Sequence, residues 1–327
     1  MPEFSRLGAS IGYNGKGFAD ADTFADDSGD IISSVVNSPN TSGYRSWGLY
    51  AAWLAVCCAT FSRPLVTLFH YARDNDNASH LLLIPFIVAW LIYEGRHKVV
   101  SGNFDLLPCL WFALPAVFLS LLALGNTFSD NTVSLAIYAL ALVLFFIAGF
   151  VAIFGRASAR EMAFPLGFLV FLIPLPSPLL ERAIYALQVG SAAVAEIIFD
   201  ATGVPVLRQG FVFHLPKMSI EVAKECSGIR SSMALLILAV LVSQFAFSKF
   251  WKKTLFVSAG LLVMIVKNGV RIATLTILAN YVDPDFLYGK LHRQGGVVFF
   301  LIGLALLVPL YWKLRKDEGP LVMVPGK

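Results

Sequence analysis

The sequence predicts an all-α polytopic membrane protein of about eight transmembrane helices, N-in and C-in, carrying an outer-face interfacial helix and a small β-meander before the sixth span. Three observations predict it. Of 327 residues, 57% are hydrophobic and 14% charged, whereas a soluble domain carries roughly 25% charged residues. The mean hydropathy is +0.72. The apolar residues fall in long runs, with the basic residues clustered between them.

Residues 1–44 come first and read as a flexible acidic cytoplasmic tail. From Phe18 to Tyr44 there are five aspartates (Asp20, Asp22, Asp26, Asp27, Asp30) and no lysine or arginine, a composition that buries too little surface to order itself. No secretory signal peptide is read here, because the first apolar segment of sufficient length begins near Trp47.

An integral membrane domain follows over 45–316, with a short C-terminal cytoplasmic tail at 317–327. Its apolar stretches run 46–62, 80–94, 106–124, 132–154, 161–175, 228–247, 254–280 and 296–312, several near the ~20 residues that a spanning helix needs. If all cross, then Arg96 and Lys98, Arg156 and Arg160, Lys249, Lys252 and Lys253, and Lys313, Arg315 and Lys316 share one side. By the positive-inside rule that side is cytoplasmic, and a bacterial inner membrane is the expected location. Charge distributed in this way speaks about topology; nucleic acid is excluded as a partner.

The outer segment 176–225 opens with an apolar stretch, 183–199, interrupted by Gln188, Ser191 and Glu196. A ninth crossing would break the charge parity, so this stretch is expected to lie flat as an interfacial helix. Three β-rich runs follow, Val204–Leu207, Phe211–Leu215 and Ser219–Val222, separated by Gln209-Gly210 and Pro216-Lys217, the pattern of a meander.

Chemistry is expected at the outer end of the sixth span, in Glu225-Cys226-Ser227-Gly228-Ile229-Arg230. Cys226 would stand at a helix start, where unpaired N–H groups and the helix dipole favour a thiolate. The other cysteines, Cys57, Cys58 and Cys109, lie in or beside apolar stretches and read as small buried hydrophobes. Arg271, nine residues before Asn280, would sit roughly 13 Å inside the seventh span at 1.5 Å per residue, where an arginine needs a partner or a wet cavity. Asn268 lies one turn away and could orient it. His292 immediately precedes the eighth span and returns to the same side, offering the usual partner of a thiol nucleophile. Glu221 and Glu225 read as solvated or paired with Lys217, Lys224 or Arg230, and His214 as a surface or cross-strand residue. No metal or organic cofactor is called for.

The sequence resembles the exosortase/archaeosortase family in Cys226-Ser227-Gly228, in Asn268-x-x-Arg271, and in His292 ahead of the last span. The resemblance implies a membrane cysteine protease or transpeptidase with Cys226 as nucleophile, Arg271 as essential cation and His292 as third member. Glu225, Ser227, Gly228, Arg230 and Asn268 would support the site or bind substrate. It also implies exported protein substrates bearing a Pro-Glu-Pro type motif, a transmembrane helix and a basic tail; transfer to a membrane lipid or glycan acceptor and release by water both stay open. Two other readings of the same residues stay open: a membrane acyltransferase using Cys226, and a transporter or assembly protein in which Arg271 binds an anionic solute.

Overall fold

A computed structural model describes residues 41–100, 106–125, 130–224, 228–287 and 296–318. Most of the expected N-terminal and C-terminal tails, and Glu225, Cys226, Ser227 and His292, lie outside these residues. The contacts divide the chain between Arg45 and Ser46, and the architecture below concerns Ser46 onward.

The helices are α1 (Thr41–Thr60), α2 (Ser62–Asp74), α3 (Ile84–Gly95), α4 (Leu106–Leu124), α5 (Asn131–Glu161), α6 (Ala163–Phe168), α7 (Ser177–Thr202), α8 (Ile229–Ala246), α9 (Phe250–Tyr281) and α10 (Gly296–Arg315). Among the described residues, seven helical segments are long and apolar enough to cross a membrane, or eight if one bent pair counts as a span. The multi-pass, all-α architecture expected from hydropathy is therefore present.

The bent pair is α1 and α2, which meet at 79°. Pro64 explains the break: it has no N–H to donate, and its ring clashes with the carbonyl four residues earlier. α1 packs antiparallel along α5, with Tyr50 on Phe150 and Phe154 and Phe61 on Tyr138 and Phe145. α2 turns aside and buries Leu68 and Ala72 against Ala78, Leu81 and Leu135. Cys57 is buried with Phe61, Ala141 and Leu142, but Cys58 faces outward and Cys109 is half-buried. Adjacent helical positions point about 100° apart, so Cys57 and Cys58 do not share a surrounding.

Side-chain contacts sort the helix ends into two faces. On one, Ser158 bonds both the N–H and the C=O of Val100, Trp90 stacks on Phe245, and Lys252 Nζ donates to Leu314 O at 2.7 Å. Those pairings bring the clusters around Arg96–Lys98, Arg156 and Arg160, Lys249–Lys253 and Lys313–Arg315 to a common side, the grouping that the sequence predicts. Glu318 closes this basic face by an ion pair with Lys252 Nζ at 2.9 Å and by accepting from Ser248 N at 3.1 Å, interactions that hold its carboxyl down at about 2. On the opposite face Arg230 meets Asp76 at 3.0 Å, and the Ser177 N–H donates to Thr132 Oγ1 at 2.9 Å.

Two expectations are modified. The stretch 161–175 is not a continuous helix: α6 and a 3-10 turn over Leu169–Leu172 give way to extended backbone at Ile173. The chain nevertheless passes from Glu161 on the basic face to Ser177 on the other. Leu166, Phe168, Leu169 and Leu172 are buried among neighbouring helices, and non-helical backbone is tolerated at membrane depth where protein covers it. The stretch 183–199 belongs to the longer α7, whose 26 residues would reach about 39 Å and are apolar enough to cross. Its two ends stay tied to one face all the same, Ser177 to Thr132 and Glu196 to Arg208 at 2.7 Å. Gln188 and Ser191 are not solvated but buried at 6% and 0% exposure.

The meander forms as expected, with β1 (Leu207–Gln209), β2 (Val212–His214) and β3 (Ser219–Glu221) in antiparallel order β1-β2-β3. The first strand lies a little later than the Val204–Leu207 run. His214 sits opposite Ser219 and bonds its hydroxyl at 2.8 Å, the cross-strand role anticipated. The sheet packs Phe213 on Phe199 of α7 and, with Val204 and Val222, covers Ile272 and Ala273 of α9.

Single cysteines placed at Glu181 and Thr202 in a cysteine-free chain should react with an impermeant maleimide from the same side, and one at Ala157 from the other. Opposite-side labelling at Glu181 and Thr202 would mean that α7 crosses.

Candidate active-site cavity

The relative lengths of three helices position this site. α9 has 32 residues, α8 has 18 and α10 has 20, or about 48, 27 and 30 Å, against a hydrocarbon core of ~30 Å. α9 and α10 are aligned at the basic face by Lys252 and Leu314, and further along by Lys267, whose stem runs beside Gly303. Asn268 abuts Gly228 at the start of α8. α9 therefore runs on past the start of α8, and Arg271 stands near that level. Ile272–Tyr281 of α9 extend past it, with Ile272 and Ala273 beneath the sheet and α7.

A cavity of about 1100 Å³ opens at this level, lined by Asp76, Lys224, Gly228, Arg230, Ser231, Arg271 and Gly296, with an apolar wall from Ile184, Ala234, Val297 and Phe300. Three cations against one carboxylate leave these described lining residues with a formal charge of +2, an arrangement that attracts anionic groups. Arg230 pairs with Asp76. Both partners are exposed, so the bridge itself is worth ~0–1 kcal/mol; its consequence is to join the 3-10 turn before α3 to the first turn of α8.

The start of α8 is held from two sides by consecutive residues of α9. Lys267, 1% exposed, donates from Nζ to Ser231 Oγ at 2.6 Å, and Ser231 donates to Gly228 O at 3.1 Å. Asn268, also 1% exposed, packs its Oδ1 against Gly228 and donates from Nδ2 to Ser191 Oγ of α7 at 3.0 Å. Gly228 has φ +68, a conformation that a side chain disfavours, and a Cβ there would stand 2.6 Å from Asn268 Oδ1. Both constraints demand glycine. Gln188 Nε2 adds a bond to Val222 O at 2.7 Å, fixing the strand that leads towards Lys224.

Of the residues singled out from sequence, Arg271, Gly228 and Arg230 line one cavity, and Asn268 packs behind Gly228. Glu225, Cys226 and Ser227 fall in the connection between Lys224 and Gly228, both of which line it, and His292 in the segment that ends at Gly296, which lines it too. Sequence reasoning passed over Lys267, Ser231, Gln188 and Ser191. Lys267 carried a usable signal, being a second cation one turn from Arg271 inside an apolar span. The small hydroxyls carried none.

A family model described as transmembrane exosortase (Exosortase_EpsH) matches residues 72–309 of the 327. The chain belongs to the transmembrane exosortase family. No curated protein and no solved structure matched it. The matched region of this exosortase begins just before Asp76 and ends within α10, so it contains every residue that lines the cavity, while α1 and most of α2 lie outside it.

In the exosortase, Gly228→Ala should cost about 1–2 kcal/mol from backbone strain alone and push Asn268 off Ser191, read as a lower unfolding temperature in detergent. Lys267→Met should leave that temperature unchanged or raised, because exchanging a buried ion for an apolar side chain of similar volume is often neutral or stabilising by ~1–4 kcal/mol.

Proposed function

We propose that this exosortase is a membrane-embedded cysteine peptidase and transpeptidase that cleaves the C-terminal sorting signals of exported proteins, with its cavity facing the outside of a bacterial inner membrane. One observation carries the reading. Lys224 and Gly228, which flank Cys226 in sequence, Arg271, and Gly296, four residues after His292, line a single cationic cavity on the face opposite the basic clusters. Under the positive-inside rule the basic clusters are cytoplasmic, so the cavity looks outward, where exported substrates are.

In this mechanism the substrate's own transmembrane helix docks beside the cavity and places its recognition motif within reach, converting a bimolecular encounter into a positioned one. The Cys226 thiolate attacks the scissile carbonyl, and the oxygen gains the negative charge. Arg271 stabilises that oxyanion or an adjacent substrate carboxylate. As the C–N bond breaks, His292 gives its proton to the departing amine, leaving a thioacyl-enzyme. An amine or hydroxyl of a lipid or glycan acceptor, or water, then displaces the thiolate. The bond from Lys267 to Ser231 and the packing of Asn268 on Gly228 hold the start of α8 during these steps.

A membrane-anchored reporter carrying a Pro-Glu-Pro type motif, an apolar helix and a basic tail, taken from the same genome, tests the proposal. Co-expressed with the native chain it should lose its tail, read by mass; with Cys226→Ala it should remain intact. Equal processing by both chains would remove Cys226 as the nucleophile. Arg271→Lys should slow processing by roughly 10²–10³-fold, the range seen when one oxyanion donor is lost. Lys267→Met should slow it while leaving the protein folded, which separates positioning from stability.

A further inference from the structure

A second large cavity lies far from the candidate active site, on the basic face. It is a lateral groove of about 780 Å³ between α4, α5 and α6, walled by Trp111, Phe112, Ile147 and Val151 and closed at one end by Arg156 and Arg160. Its volume falls within the ~300–1,000 Å³ of small-molecule sites. α4 packs mainly on α5, so the groove opens sideways to lipid, and Trp111 is 83% exposed there.

The backbone accounts for its shape. Gly155 adopts φ 78 and ψ 170 inside α5, turning the chain off the helix axis immediately before Arg156. The last turn thus leaves the span, and Arg156 and Arg160, four residues apart, share one side of it. No carboxylate is among the groove's described lining residues, and neither arginine pairs with one among the described salt bridges.

We propose that this groove binds an anionic phospholipid of the leaflet at the basic face, its phosphate between Arg156 and Arg160 and one acyl chain along Ile147, Val151, Trp111 and Phe112. Length and charge favour this occupant over a protein helix. From Ile147 to Arg156 is nine residues, about 14 Å at 1.5 Å per residue, the depth of one leaflet of a ~30 Å core; a spanning helix would need twice that. A helix ending in a basic tail would also bring its positive charges against two arginines. A phosphate meets the arginine pair with the geometry that guanidinium groups suit best, and basic sites between transmembrane helices on the cytoplasmic side are known to hold anionic headgroups.

The test uses the full chain in nanodiscs of phosphatidylcholine containing one-tenth brominated phosphatidylglycerol or one-tenth brominated phosphatidylcholine. Quenching of Trp111 is taken as the difference between the native chain and Trp111→Phe. Brominated phosphatidylglycerol should quench Trp111 at least threefold more than brominated phosphatidylcholine. Arg156→Gln/Arg160→Gln should reduce that ratio to about one, Arg156→Lys/Arg160→Lys should retain part of it, and Arg230→Gln on the opposite face should leave it unchanged. Equal quenching of the native chain by the two lipids overturns the proposal. So does protection of Trp111 by an added transmembrane peptide with a basic end, which would make the groove a helix dock. Should the glutamine pair fail to fold, loss of the native preference at high salt supplies the same reading, since screening weakens a charge-driven headgroup site.

Discussion

Two adjacent residues of α9, Lys267 and Asn268, meet the first turn of α8, and the half of the exosortase opposite the basic clusters depends on that contact. Lys267 reaches Ser231, whose hydroxyl returns to Gly228 O, while Asn268 presses on Gly228 itself and bonds Ser191 of α7. A lysine so deeply covered costs several kcal/mol in desolvation, so the contact is not explained by stability alone. What it secures is the level and direction from which the chain enters α8, together with the placing of Arg271 one turn further along α9.

The rest of that face follows from a mismatch of lengths. A helix of 32 residues is not matched by a neighbour of 18, so about ten residues of α9 emerge past the start of α8 with an apolar surface that must be covered. The three-stranded sheet and the end of α7 cover it, burying Ile272 and Ala273 with Phe199, Phe213 and Val222. The cavity forms where this cap meets the shorter helices, and it inherits their polar beginnings: Gly228, Arg230 and Ser231 from α8, and Gly296 from α10. The cationic lining comes from three places: Arg230 in the first turn of α8, Arg271 inside α9 and Lys224 in the connection after β3.

Much of this was legible in the residues. Hydropathy located the spans, and the turn pairs Gln209-Gly210 and Pro216-Lys217 located the strands, because turn geometry restricts residue type strongly. Asn268 and Arg271 stood out because polar groups in an apolar helix are costly and therefore few. The break at Ile173 was hidden, since an apolar run reads alike whether it is helical or extended. The roles of Gln188 and Ser191 were hidden for a related reason: taken alone they look like the polar side of an interfacial helix, and only the approach of Val222 and Asn268 turns that side inward.

By itself, the sequence determined that the chain crosses a membrane many times, which clusters of charge lie together, and which family it belongs to, for these rest on the transfer preference of each segment and on short motifs. Tertiary structure alone decided that Arg271 lies level with the start of α8, that both ends of α7 remain on one face, and that Lys267 and Ser231 hold the beginning of α8. Depth and partnership are relations between helices; they are set by how lengths and small residues such as Gly228 and Gly303 let neighbouring backbones approach, and no single segment contains that information.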